Sequence, residues 1–273
     1  MPELPEVVTV ANELHKQICN KKINKFWVKN SKFIKEITPN DFAKEIENSI
    51  VTKVTNKAKH ILIFLDNNKV IISHLRMSGK YFSNQNHIGR QHDYVFFEFS
   101  DKSVLIYNDA RQFGTFHLRN IENLFTTKPL INVANEPFDI NFDDFYLKLS
   151  KIKRVIKTAL LDQSLISGLG NIYVDEVLFA SKVAPWEVSS SISKNKALEI
   201  LKNSQRILKE SIKLGGSSIN SYTSLDAKEG SFQNFLQVHT KKDKPCPNCQ
   251  KLIEKITING RGTYFCRKCQ NEK

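Results

Sequence analysis

The chain has no long apolar run. Its longest stretches, such as ILIFL at 61–65, fall far short of the roughly 20 residues that a membrane-spanning helix needs, so membrane insertion is not expected. The amino terminus, MPELPEVVTV, carries Glu3 and Glu6 and has no cleavable apolar core, so a secretion signal is not expected either. Cysteine is scarce and unevenly placed, with four of the five clustered near the end. An odd number with one cluster suits a reducing compartment and a metal better than disulfides. Acidic residues are in deficit, 28 against 41 Lys and Arg, leaving a formal net charge of +13. That surplus favours a polyanionic partner, nucleic acid or an anionic membrane surface. The abundance of Lys, Asn and Ile offers compositional bias as the competing explanation. Internal repeats and low-complexity blocks are absent, and 273 residues leave room for two domains, each with its own core.

Residues 5–19 read as an amphipathic helix, because Val7, Val10, Ala11, Leu14 and Ile18 recur at helical spacing and Pro5 is tolerated in a first turn. Between 50 and 120 the pattern changes to short β-rich runs, HILIFL, KVIISHL, DYVFFEF, SVLIYN and FGTFHL, separated by Asp, Asn and Ser turn clusters. Strands so spaced predict a β-sandwich. TTKPLINVANEPFDI, with Pro129 and Pro137, breaks the pattern and reads as a linker. After about residue 142 the chain turns helical. KNKALEILKNSQRILKESIKLGG sets Ala197, Leu201, Leu208 and Ile212 on one face and stops at Gly215-Gly216. SLISGLGNIYVDEVLFASK reads as helix, glycine-rich turn and helix, with Asn171 at the N-cap of the second. The N–H groups of a helix start favour an anion, although turns of this kind are more often structural only.

CPNC at 246–249 and CRKC at 266–269 bracket sixteen residues. Tetrahedral Zn²⁺ takes four soft ligands, and each Cys-x-x-Cys turn supplies two thiolates, so Cys246, Cys249, Cys266 and Cys269 predict one structural zinc. A redox pair would need one such turn and gives no reason for the second. ITINGRGTYF between them reads as a β-hairpin turning at Asn259-Gly260, with Arg261 at its tip. Cys19, on the first helix, reads as a buried apolar filler. At the other end, loss of Met1 would leave Pro2 as a free secondary amine beside Glu3, a nucleophile with an adjacent proton donor.

Together these pieces resemble the bacterial formamidopyrimidine-DNA glycosylases. The likeness runs through PELPEV at 2–7, AKHILI, HLRMSG at 74–79, NDARQFG at 108–114, LLDQSLISGLGNIYVDEVLF at 160–179 and the closing finger, in the family's order. It implies an α+β fold: an N-terminal β-sandwich with flanking helices (1–133), a helix–two-turn–helix domain (134–234) and a β-hairpin zinc finger (235–273), with damaged double-stranded DNA bound between the two larger parts. It also implies a monomer, located in a bacterial cytoplasm on chromosomal DNA, that removes oxidised purines and then cleaves the strand. In the family the N-terminal proline attacks C1′ of the damaged nucleotide, which assigns Pro2 as nucleophile and Glu3 as general acid. A secondary amine yields a cationic iminium, and α-amines titrate near about 8, leaving a usable neutral fraction.

The resemblance implies further roles. Lys59 matches a lysine associated with base removal and β-elimination, although a lysine at a strand start is ordinarily a surface group. Arg261 matches the finger arginine that grips the flanking phosphates and acts in δ-elimination, and Asn171 contacts the same backbone. His92, Arg111 and Lys153 fall at DNA-contact positions. Met77 and Phe113 match wedges that fill the duplex when a base is flipped, with Arg111 reaching the orphaned cytosine; Met77 sits in a polar loop, an odd place for core. Residues 215–232 correspond to a loop that closes over the flipped base. Val8, Ala110, Gln112, Asn259, HTKKDKPC and GGSSINSY depart from the commonest family pattern, though no catalytic group is lost. The rivals are the endonuclease VIII type, specific for oxidised pyrimidines, and a non-catalytic zinc-dependent DNA-binding protein.

Overall fold

The computed structural model describes residues 2–84, 89–217 and 230–270. Met1 and most of the 215–232 loop, residues 218–229, lie outside them. The chain divides into two compact units, one of Met1–Ile131 with Leu214–Ser231 and one of Asn132–Lys213 with Phe232–Lys273.

The first unit is a β-sandwich with helices at its flanks. Helix α1 (Leu4–Ile18) buries Val7, Val10, Ala11, Leu14 and Ile18, the apolar stripe visible in the sequence. One sheet has the order β2-β3-β4-β8: Val51–Lys57, His60–Leu65, Lys69–His74 and Thr115–Asn120. The other has the order β1-β6-β7-β5: Ile23–Val28, Asp93–Phe99, Val104–Asn108 and Lys80–Asn84. Each neighbouring pair is antiparallel, which lets side chains alternate between core and outside. The core includes Phe97, Tyr107 and Phe116, with the Tyr107 and Phe116 rings edge-on at 5.0 Å. α1 packs on β2 and β3, and α2 (Pro39–Ile46), capped by Thr38, packs on β1. β1, β2 and β5 extend the five runs read from the sequence; each has exposed or half-buried polar residues that weaken its alternation.

The second unit holds α3 (Phe142–Leu149), α4 (Ile156–Leu160), α5 (Asn171–Ala180), α6 (Lys194–Lys213) and the hairpin β9 (Glu254–Ile258) and β10 (Arg261–Phe265), closed by α7 (Arg267–Gln270). α6 ends just before Gly215 and Gly216, both at positive φ, as the two glycines suggest.

Three local expectations need correction. The segment before the glycine turn is not helical beyond Leu160, because the Gln163 side chain accepts from Gly168 N–H and donates to the Leu161 and Leu169 carbonyls, fixing an irregular turn. Gly170, not Asn171, is the N-cap of α5, so Asn171 is the first helical residue. Cys19 is half-buried at the end of α1, with its thiol donating to the Thr52 carbonyl, and is no core filler.

Candidate active site and nucleic-acid interface

Pro2 and Glu3 are buried at the entrance to α1, with Glu3 only 2% exposed. What fixes them is Glu6, one helical turn on. Its carboxylate accepts the Glu3 amide at 2.8 Å through one oxygen and the Ser217 amide at 2.7 Å through the other. A buried carboxylate satisfied by two backbone N–H groups is a strong anchor. Gly216 permits it: a Cβ there would stand 2.8 Å from the Glu6 oxygen, and the residue's φ is +81°. The amino terminus and the first stem of the 215–232 loop thus share one carboxylate, a link the sequence did not disclose.

Lys59 occupies the two-residue turn between β2 and β3, where a lysine is normally solvated, yet it is only 6% exposed. His60 and His74 face each other across β3 and β4 with rings edge-on at 4.7 Å. His74 Nδ1 accepts the Arg76 amide at 2.9 Å, which holds that ring neutral and fixes the start of the turn carrying Met77. Burial, reinforced by the cations of Arg76, His117 and Lys59, lowers the His60 pKa to about 4. Burial also holds His74 well below the usual histidine range, with His60, Arg76 and Lys59 adding to it.

Unfolded, His60 would protonate near 6.5, so between there and about 4 the unfolded state binds more protons. His60's contribution to stability is therefore expected to fall as pH drops through that window and to level off below it. Thermal unfolding against pH checks this, and His60→Phe should flatten His60's share of the slope.

Met77, Arg111, Phe113 and His92 are gathered around one buried acid, Asp109. Its carboxylate accepts from the amides of Arg111, Phe113 and Gly114 at 3.2, 2.9 and 2.8 Å and from the Ser78 hydroxyl, and its own amide donates to the His92 carbonyl at 3.0 Å. The Met77 turn and the Arg111–Phe113 loop are tied together in this way. Phe113 is 53% exposed, a large aromatic held outward with the Arg111 guanidinium 5.0 Å from its ring centroid. Gln112, one of the family departures, accepts from Asn30 at 3.1 Å. Gly79 and Gly114 both lie against the Tyr107 hydroxyl; a Cβ would meet it at 2.1 and 1.9 Å. Gly114→Ala is expected to cost about 1–3 kcal/mol by overpacking, measurable by denaturant unfolding, and Tyr107→Phe in the same chain should return part of it.

In the second unit Asn171 and Arg261 meet at the hairpin. Asn171 Nδ2 donates to the Gly262 carbonyl at 2.9 Å, beside the exposed Arg261. Lys157, fully buried, donates to the same carbonyl at 3.1 Å and pairs with Asp175 at 2.6 Å. Asp175 also accepts from the Tyr264 amide at 3.2 Å and contacts His239 Nδ1 at 2.8 Å. Lys153 is exposed in the segment before α4. Asp109, Glu6, His74 and the Lys157–Asp175 pair carry no pattern in the sequence that marks them as part of a site. For Lys157 the one available signal was a lysine inside the apolar VIKTALL run.

Cys246, Cys249, Cys266 and Cys269 place their sulfurs within 4.8 Å of one another, with two cross-pairs at 3.8 and 3.4 Å. Zn–S bonds of about 2.3 Å in a tetrahedron imply sulfur separations near 3.8 Å, so the cluster is positioned to bind one zinc ion. The Lys251 backbone N–H, the largest influence, draws the Cys249 thiol down to about 7, while burial pushes Cys266 and Cys269 up. Zinc must displace those protons, so its binding should strengthen as pH rises.

A β-sandwich with a proline-led first helix, and a helical unit ending in a four-thiolate hairpin, define a class of DNA-repair folds. Solved structures of Lactococcus lactis Fpg place the chain within it. A variant of that protein bound to Fapy-dG DNA matches with a TM-score of 0.94 at 35% identity, covering 99% of this chain and 100% of that one. The same protein with abasic-site DNA matches at a TM-score of 0.93, with the same identity and coverage. Family profiles match along the sequence: the formamidopyrimidine-DNA glycosylase N-terminal domain at 1–116, its H2TH domain at 133–223, and a zinc finger found in FPG and IleRS at 243–271. Formamidopyrimidine-DNA glycosylase of Mycoplasma mobile is 55% identical over 99% of both chains, and that of Mycoplasmopsis pulmonis 48% identical over 100% of this chain and 99% of its own. The chain belongs to the formamidopyrimidine-DNA glycosylase family. No helix among the described residues is long and apolar enough to cross a membrane.

Proposed function

We propose that this protein is a bifunctional DNA glycosylase and AP lyase that excises 8-oxoguanine and formamidopyrimidines from duplex DNA, working as a monomer on the bacterial chromosome in the cytoplasm. The observation that carries the reading is the buried Pro2-Glu3 start, locked by Glu6 in the same unit as the buried Lys59. Relatives of this chain have been crystallised on Fapy-dG and abasic-site DNA.

With Met1 removed, the Pro2 nitrogen attacks C1′, the glycosidic bond breaks and the base departs with a proton. Glu3 protonates the ring oxygen as the sugar opens, leaving an iminium on Pro2. The iminium makes the C2′ proton acidic; its loss breaks the C3′–O bond, and loss of the C4′ proton then breaks C5′–O. Water hydrolyses the iminium and frees the amine. Lys59 assists base loss and the first elimination, while Arg261 and Asn171 hold the flanking phosphates and Arg261 promotes the second. Lys153 and His92 add phosphate contacts. Phe113 and Met77 fill the space left by the flipped nucleotide, with Arg111 at the orphaned base, and exposure of Phe113 suits that task. Cys246, Cys249, Cys266 and Cys269 would hold the zinc with four thiolates and leave it no open position, so it would rigidify the hairpin and take no part in the chemistry.

A panel of lesion duplexes tests this. Cleavage opposite cytosine at 8-oxoguanine and formamidopyrimidines is expected to exceed cleavage at thymine glycol by tenfold or more. The reverse order would favour the pyrimidine-specific rival, and binding without nicking the non-catalytic one.

A further inference from the structure

The hairpin turn beside Arg261 is Asn259-Gly260, two residues at φ +45° and +73°, where an Asn-Gly pair is at home. Asn259 does more than turn the chain. Its Nδ2 donates to the Thr158 hydroxyl on α4 at 2.8 Å, a bond spanning 101 residues of sequence. On the other side of Arg261, the Gly262 carbonyl accepts from Lys157, also on α4, and from Asn171 at the start of α5. The Thr263 hydroxyl donates to the Arg261 carbonyl itself at 3.0 Å. The Arg261 backbone is therefore pinned on both flanks while its side chain stands exposed.

We propose that Asn259 is a positioning residue: through Thr158 it fixes the Arg261 tip against α4 and so sets the efficiency of the δ-elimination step. The inference rests on the role given to Arg261 above. Lys157 and Asn171 hold one flank of the arginine, and without Asn259 the turn on the other flank has only its β-ladder to restrain it. A guanidinium beside a loosened two-residue turn then samples orientations away from the phosphate, lowering the second elimination more than the first.

The experiment follows an abasic-site duplex to its products and takes the ratio of 3′-phosphate to 3′-unsaturated-aldehyde ends. Asn259→Gly, which keeps the turn, and Thr158→Val, which keeps the shape of the helix residue, are each expected to lower that ratio about three- to tenfold. The double variant should be no worse than either single, and Thr158→Ser should restore the wild-type ratio. Zinc content and thermal midpoint should stay at wild-type values, and a fall that tracks zinc loss would contradict the inference. Arg261→Gln serves as the reference. If it collapses the ratio while Asn259→Gly does not, the tether is idle and the inference fails. If Arg261→Gln leaves the ratio intact, the assignment of Arg261 is wrong and the inference falls with it.

Discussion

Protein that retains Met1 is expected to cleave 8-oxoguanine duplexes at least about a thousandfold more slowly than processed protein, the order of loss that follows removal of a catalytic nucleophile. The cause is electronic. In a Met1-Pro2 peptide bond the proline nitrogen is a tertiary amide, with its lone pair delocalised into the carbonyl and no proton to lose. It can neither attack C1′ nor form an iminium. Separating the two forms by intact mass and assaying each gives the ratio directly. The defect should extend to abasic-site cleavage, because in the proposed mechanism the same amine serves both reactions. The fold should be unaffected, since Glu6 grips the Glu3 and Ser217 amides and neither belongs to the first peptide bond.

The second large effect is on stability. Lys157→Met should destabilise the second unit by about 3–5 kcal/mol, because it takes the lysine cation from Asp175 Oδ1 in a site where both partners are 0% exposed, leaving the Tyr264 amide and His239 on the other oxygen. Methionine matches the stem's length, so packing changes little and the loss reports the missing cation. The Gly262 carbonyl also loses one of its two donors. Denaturant unfolding measures the cost. Adding Asp175→Leu is expected to recover a good part of it, since removing both charges of a buried pair is often near neutral. A single variant as stable as wild type would show that the pair contributes nothing to the hairpin's support.

Local pattern made much of this molecule readable. HILIFL and DYVFFEF became β3 and β6 residue for residue, because each is a β-rich run flanked by turn residues. The stripe on α1 and the two Cys-x-x-Cys turns are likewise periodic or short-range features. What stayed hidden depends on distant partners. Lys157 meets Asp175 18 residues away and Gly262 105 away; Glu6 meets Ser217 across 211. Nothing at position 6 announces such a contact, and at 157 the apolar run around the lysine points to burial but not to a partner. Asn171 shows how a long-range bond overrides a local rule: its amide is drawn to Gly262, and glycine takes the cap instead. Lys59 is the converse case. A turn lysine is expected in solvent, and only the fold reveals that this one is enclosed. The roles proposed for Pro2, Glu3, Lys59 and Arg261 come from resemblance, whereas Glu6, His74 and Asp109, which fix the backbone around these candidates, became visible only as hydrogen-bonding partners.

Borohydride reduction of the reaction on 8-oxoguanine DNA, followed by digestion and mass mapping of the protein–sugar adduct, tests the central claim most directly. The account predicts a single adduct on the nitrogen of Pro2, in chains lacking Met1 only. An adduct on Lys59 or any other lysine, or efficient cleavage with no adduct at all, would contradict it.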